Sequence, residues 1–144
     1  MATINKEILI GTPQEKIFNF VNKPNNLLRI WPSLIEVKDE ELLPNGGYSF
    51  TWVNKMLGIQ LKGTGEYTDI SPNNWFSLKT LGAIETTITW KFQPKENKTL
   101  VTFTVDYRIP APLFGRLAEI AIMKSNEKEA EVILDNLRTI MEET

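Results

Sequence analysis

Apolar and polar residues alternate with a period of two along most of the chain between Leu34 and Ile109, and from about Pro112 the spacing becomes helical. Ahead of this tract, Ile4, Ile8 and Ile10 sit at even positions and predict a strand with one buried face. Thr12-Pro13-Gln14-Glu15 predicts a helix start, with Thr12 as cap, Pro13 at the first helical position and Glu15 closing a capping box. Ile17, Phe18, Phe20 and Val21 supply the apolar face, and Pro24 ends the helix. Asn25 to Ile30 reads as a second short helix, closed by Trp31-Pro32.

Six strands follow in order. The first, Leu34 to Leu43, carries Glu36, Lys38, Asp39, Glu40 and Glu41, which predicts an edge strand with one wet face. Asn45-Gly46 then gives a hairpin signal, because both residues tolerate positive φ. Tyr48, Phe50 and Trp52 alternate with Ser49, Thr51 and Val53, and residues 54–58 read as a loop. Ile59, Leu61 and Tyr67 share a face with Gly63 and Gly65, a pairing that predicts a bend, a bulge or room left for another group. Ser71-Pro72-Asn73-Asn74 turns the chain into Trp75 to Leu81, ended by Gly82. Next, Ile84, Thr86, Ile88, Trp90 and Phe92 face one way and Glu85, Thr87, Thr89 and Lys91 the other. After a turn over Pro94 to Lys98, Val101, Phe103, Val105, Tyr107 and Ile109 oppose Thr102, Thr104, Asp106 and Arg108. This is the pattern of an antiparallel sheet with one solvated face.

Pro110-Ala111-Pro112 closes the sheet. Leu117, Ile120, Ala121, Met123, Ala130, Ile133, Leu134, Leu137, Ile140 and Met141 then fall at helical spacing. The stretch Lys124 to Glu129 is polar but holds no proline or glycine, so one unbroken helix of about 30 residues, roughly 45 Å long, is expected. A meander of this length cannot close its own core. The terminal helix is the only element long enough to cover it, and one helix does not fill the concavity of a curved sheet. The pattern therefore predicts a hollow between sheet and helix, suited to an apolar guest.

Composition removes most chemistry. The 144 residues suit one domain. With no cysteine and no histidine, thiol nucleophiles, disulfides, zinc–thiolate sites and the usual neutral-pH general base are absent. A net charge of -2 and a pI near 5.3 argue against nucleic acid or an anionic membrane surface as partner. No apolar run approaches the roughly 20 residues that span a bilayer, and Met1 to Ile10 does not read as a signal peptide, so a cytoplasmic protein is expected. Asn97-Lys98-Thr99 matches a glycosylation acceptor, read as coincidence in that context.

The chain resembles the START-like, or SRPBCC, superfamily, and within it the polyketide cyclase/dehydrase and lipid-transport branch. The resemblance covers essentially the whole chain. It is carried by the run from Ile8 to Phe18, by Asn25 to Pro32 ending in Trp31-Pro32, by Gly63-Thr64-Gly65-Glu66-Tyr67 with Pro72 after it, and by Leu134-Asp135-Asn136-Leu137. It implies an α+β helix-grip fold: a seven-stranded antiparallel sheet curved around a long C-terminal helix, with two short helices between strands 1 and 2. These motifs are folding signals, and the functions implied are diverse: members bind lipids, sterols, polyketides or plant hormones, a minority catalyse cyclisation or dehydration, and some bind other proteins.

The expected binding residues are Trp31, Tyr48, Phe50, Trp52, Leu61, Tyr67, Ile88, Trp90, Phe103 and Tyr107 from the inner face, with Leu117, Ala121 and Lys124 from the helix. Any one of the aromatic residues, Phe92 included, reads more readily as ordinary core, and it is the group that argues for a cavity. The resemblance places Trp31 at the cavity mouth, where it also reads as a staple for the short helices. Met56 and Leu57, apolar in a predicted loop, suggest a gate or a local plug. Glu66, Asp106 and Arg108 fall on the outward phase and read as solvated charges, and Arg29 is a further polar candidate. Lys124 reads as solvent-facing or as a partner for a ligand carboxylate. No catalytic residue, metal ligand or cofactor site is assigned. The expected partner is a small hydrophobic ligand held by burial, with Tyr and Thr hydroxyls orienting it. Two alternatives stand: a cyclase or dehydratase using Tyr107 or Tyr48, and a protein-interaction module of the chaperone-activator type using the outer face or the Met56-Leu57 loop.

Overall fold

The computed structural model describes residues 2–56, 58–108 and 116–143. Seven strands form one antiparallel sheet: β1 (Ala2–Ile10), β2 (Leu34–Leu42), β3 (Tyr48–Met56), β4 (Ile59–Ser71), β5 (Trp75–Gly82), β6 (Glu85–Lys95) and β7 (Lys98–Arg108). Two short helices, α1 (Gln14–Val21) and α2 (Pro24–Leu27), lie between β1 and β2, and α3 (Arg116–Glu142) follows the sheet. The strand order is β1-β7-β6-β5-β4-β3-β2, so the first strand closes against the last and the rest is a meander. This is the expected α+β helix-grip arrangement, with the charged β2 at an edge.

Alternation sets the two faces. Along β7 the odd positions from Thr99 to Tyr107 are buried while Thr102, Thr104 and Asp106 are half-buried. The buried face of the sheet meets Ile17, Phe18 and Val21 of α1 and Ala130, Ile133, Leu134, Leu137 and Met141 of α3 in one core. Inside it Phe18 meets Phe76 and Phe92 edge-on, both at 5.9 Å between ring centres.

Three local expectations change. Pro13 is the N-cap of α1 and no side-chain cap bond forms, so the capping box is not built. The Thr12 hydroxyl instead donates to the Met141 carbonyl at 3.1 Å, and the Thr99 hydroxyl donates to the Thr12 carbonyl at 2.7 Å, tying the start of α1 to the end of α3. Pro24 opens α2 rather than ending α1, since its missing N–H costs nothing at a first helical turn. The loop expected over 54–58 is mostly strand, because β3 and β4 stay paired out to Met56 and Ile59. Gly58 supplies the positive φ, +78°, that the turn requires, and Leu57 lies outside the described residues.

The helix runs without a break through its polar middle from Arg116 to Glu142. Ile109 and Leu113 lie outside the described residues.

Candidate functional site

A cavity of about 100 Å³ lies between the sheet and α3. Its sheet wall comes from β1 (Ile4), β3 (Phe50, Trp52, Asn54, Met56), β5 (Leu78, Thr80), β6 (Thr86, Ile88) and β7 (Phe103, Val105, Tyr107), with Ile84 joining from just before β6. Leu27, Trp31 and Leu34 close one side and Asn126, Glu129, Ala130 and Ile133 of α3 form the lid. Trp31, Leu34, Asn54, Met56, Asn126 and Glu129 are half-exposed and mark where the cavity opens.

Two glycines shape the hollow. Phe50 pairs with Gly65 and Trp52 with Gly63 across β3 and β4. A Cβ on Gly65 would stand 2.5 Å from Phe50 Cζ, and one on Gly63 2.3 Å from Trp52 Cζ2. The rings lie in the space that the absent side chains leave, a cross-strand arrangement that shields the glycine backbone. Trp52 is fixed there by its Nε1, which donates to the Thr64 carbonyl at 3.0 Å. The two glycines thus make room for rings of the protein itself.

The polar groups are few and placed with order. Thr86 is the register partner of Tyr107 on one side and of Thr80 on the other. The Thr80 and Thr86 hydroxyls bond to each other at 2.5 Å. Tyr107, 5% exposed, makes no hydrogen bond of ordinary geometry at its hydroxyl, and the Asn126 side chain is the polar group within reach of it. Burial raises the pKa of that hydroxyl, the Asn126 side chain nearby opposes the rise, and the charge of Glu127 adds to it.

Glu129 is the one ionisable group that α3 contributes to the described lining. Its Oε1 accepts from Trp31 Nε1 at 3.1 Å and from the Ser33 hydroxyl at 2.9 Å, and its Oε2 accepts from the Ser33 backbone N–H at 2.8 Å. Asn54 Nδ2 donates to the same Ser33 hydroxyl at 3.2 Å. Burial raises the carboxyl pKa, while the bonds from Ser33 and Trp31 hold it down. Trp31 also meets Phe103 edge-on at 5.6 Å, so it serves both the cavity wall and the clasp to α3.

Of the residues expected at the site, Trp31, Phe50, Trp52, Ile88, Phe103 and Tyr107 line this cavity. Tyr67, Trp90, Leu61 and Tyr48 do not. Tyr67 is fully buried, stacks on Phe76 at 5.0 Å and donates its hydroxyl to the Val21 carbonyl at 3.0 Å. Burial raises its pKa well above the ordinary value, with smaller contributions from Glu40 and Tyr48. Trp90 stacks parallel to Phe92 and lies 4.6 Å from Phe103 as core. Tyr48 is half-buried against the edge of Tyr67, and Leu61 is buried away from the lining.

Ala121 and Lys124 are exposed. At about 100° per residue Ala121 stands roughly 180° and Lys124 roughly 120° round the helix from Ala130, so neither shares the cavity-facing stripe. Ile120 and Met123 are exposed too, although Met123, seven residues before Ala130, stands only about 20° from it: helical spacing shows which side chains share a face, not what lies against it. The side chains of Leu117 and Ala118 lie outside the described residues. The lining residues that the sequence did not single out include Asn126 and Glu129, which follow from Ala130 and Ile133 at helical spacing but look like ordinary surface residues in a polar stretch. Met56, a candidate gate by its apolar character, is at the lining.

A sheet that grips its C-terminal helix over an apolar hollow defines the START-like class of fold. The chain belongs to the polyketide cyclase/dehydrase and lipid transport family, whose profile matches residues 1–142. Among solved structures it is similar to the Zhui aromatase/cyclase of Streptomyces sp. R1128, with a TM-score of 0.81 at 14% identity over 98% of this chain and 93% of that one. It is similar to a START superfamily protein of Mycobacterium smegmatis, with a TM-score of 0.80 at 12% identity over 98% and 97%. A protein of Thermus thermophilus gives a TM-score of 0.73 at 23% identity over 96% and 95%. At these identities the likeness establishes the fold. No functionally curated protein matches the sequence. Among the described residues no helix is long and apolar enough to cross a membrane, and no cluster of acidic side chains is arranged to hold a metal ion.

Proposed function

We propose that the protein binds a small, largely apolar molecule in the cavity between the sheet and α3, as a carrier or a sequestering protein. The observation that carries this reading is the wall itself: Phe50, Trp52, Ile88, Phe103 and Val105 of the sheet face Ala130 and Ile133 of the helix across unfilled space. Apolar burial drives such binding at about 25 cal/mol per Å². The cavity is smaller than the roughly 300–1,000 Å³ of most ligand sites. It is also somewhat below the ~150 Å³ that admits benzene in an engineered core. A ligand larger than one ring therefore requires α3 to shift or protrudes between Trp31 and Met56. Covering about 200 Å² of ligand gives roughly 5 kcal/mol gross, part of which is offset by immobilisation, so weak affinity, about 0.2 mM or weaker, is expected.

Catalysis has less support. The carboxylate of Glu129 is occupied by three donors, which suits a structural clasp better than a general base. The binding reading is tested by titrating fatty acids, sterols and aromatic ketones while following tryptophan fluorescence, since Trp31 and Trp52 are in the wall. Saturable quenching or a spectral shift supports it, and a flat response across the panel refutes it.

A further inference from the structure

Resting on that reading, we infer that the ligand is an uncharged carbonyl or hydroxyl compound, whose oxygen meets a row of hydroxyls formed by Thr80, Thr86 and Tyr107, and that carboxylates of the same shape are rejected. Three features converge on this.

The first is geometric. Thr80, Thr86 and Tyr107 sit at directly opposed positions of β5, β6 and β7, so the sheet register alone brings their hydroxyls into one line at the cavity wall. Thr80 and Thr86 satisfy each other. Tyr107 Oη, at the end of the row, makes no hydrogen bond of ordinary geometry and has only the Asn126 side chain within reach. A buried hydroxyl left unpaired is costly, so a ligand that supplies an acceptor or donor there gains binding energy beyond its apolar area.

The second is electrostatic. Among the described lining residues there is no lysine or arginine, and the only carboxylate is that of Glu129. An anionic ligand would be desolvated next to a like charge with no cation to compensate it. Lys124, the cation anticipated for a ligand carboxylate, is exposed and outside the lining. A neutral oxygen meets neither cost.

The third is the contrast between the polar groups themselves. Glu129, Ser33 and Asn54 bond to one another, whereas the buried Tyr107 hydroxyl, with only Asn126 in reach, makes no hydrogen bond of ordinary geometry. The unspent hydrogen-bonding capacity therefore lies at one wall, and it belongs to a neutral group at ordinary pH.

The test uses three near-isosteric single-ring probes at pH about 7.5: acetophenone, ethylbenzene and benzoate. The expected order is ketone, then hydrocarbon, then carboxylate, with the ketone roughly tenfold tighter than the hydrocarbon and the carboxylate weaker than both. In Tyr107→Phe the preference for the ketone over the hydrocarbon disappears. Carboxylate binding equal to or tighter than ketone binding overturns this inference while leaving the apolar-container reading intact. So does a ketone preference that survives Tyr107→Phe. No binding of any probe, in an otherwise folded protein, overturns both.

Discussion

Glu129 on α3 and Ser33 ahead of β2 hold each other through both carboxylate oxygens, with the Ser33 N–H 2.8 Å from Oε2 and the Ser33 hydroxyl 2.9 Å from Oε1. The bond pair crosses the cavity opening. It joins the middle of the helix to the segment between the short helices and the sheet, and Trp31 reinforces it from the next residue but one. The carboxylate sits where α3 turns from exposed to buried, so the clasp marks the point at which the helix becomes part of the core.

This clasp has a defined pH signature. Burial lifts the Glu129 carboxyl above its ordinary value of 4.5 in the folded protein. The folded state thus holds this proton more tightly than the unfolded chain. Its stabilising contribution is complete below the unfolded value and is lost as pH rises through the folded value. Glu129→Gln cannot titrate, so the stability of the native protein relative to this variant should fall as pH rises from about 4.5 and then level off. Urea midpoints measured for both at steps from about pH 4 to 8 check this, and a difference that grows with pH contradicts it. Ser33→Ala removes the hydroxyl bond that favours the ionised form and keeps the backbone N–H bond, so the Glu129 carbon resonance should titrate at somewhat higher pH.

The glycines under the aromatic rings give a second prediction. At Gly63 an added Cβ would lie 2.1 Å from the Leu81 carbonyl oxygen as well as against Trp52. Gly63→Ala is therefore expected to cost about 3 kcal/mol by overpacking. Gly46→Ala is the comparison: its φ is +89° but nothing lies within 4 Å, so the cost should be the backbone term alone, about 1–2 kcal/mol. Urea denaturation of both separates the two causes, and Gly63→Ala proving no worse than Gly46→Ala would show that Trp52 and the Leu81 backbone both give way at little cost.

Filling the cavity gives a third. Ala130 is 2% exposed and at the lining. Ala130→Leu places its added carbons in the existing space of about 100 Å³, so stability should change by no more than about 1 kcal/mol. Affinity for any ligand that binds the native protein should fall more than tenfold. Calorimetric titration beside thermal unfolding reads both quantities, and unchanged affinity would move the binding site elsewhere.

The apolar alternation of β3, β6 and β7 is enough to show which side chains turn inward, and Phe50, Trp52, Phe103 and Tyr107 are found on that face. Its limit is visible at Tyr67 and Trp90, which share the inward phase but are spent on the core through Phe76, Phe92 and the Val21 carbonyl. A two-residue period separates the faces of a sheet. It carries no information about where along the inner face another element lands. The same holds for α3: Met123 shares the face of Ala130 yet is exposed, and Ala121 and Lys124 stand on other faces, because spacing does not show where along its length the helix meets the sheet.

The succession of strands along the chain, the edge character of β2, the unbroken terminal helix and the aromatic character of the inner face were determined by the sequence alone, because each depends on local period, turn residues and the absence of helix breakers. The hydroxyl row of Thr80, Thr86 and Tyr107, the rings over Gly63 and Gly65, and the clasp of Glu129 to Ser33 were decided only by tertiary structure. Each joins residues whose encounter depends on sheet register or on the placement of α3, and 96 positions along the chain separate Ser33 from Glu129.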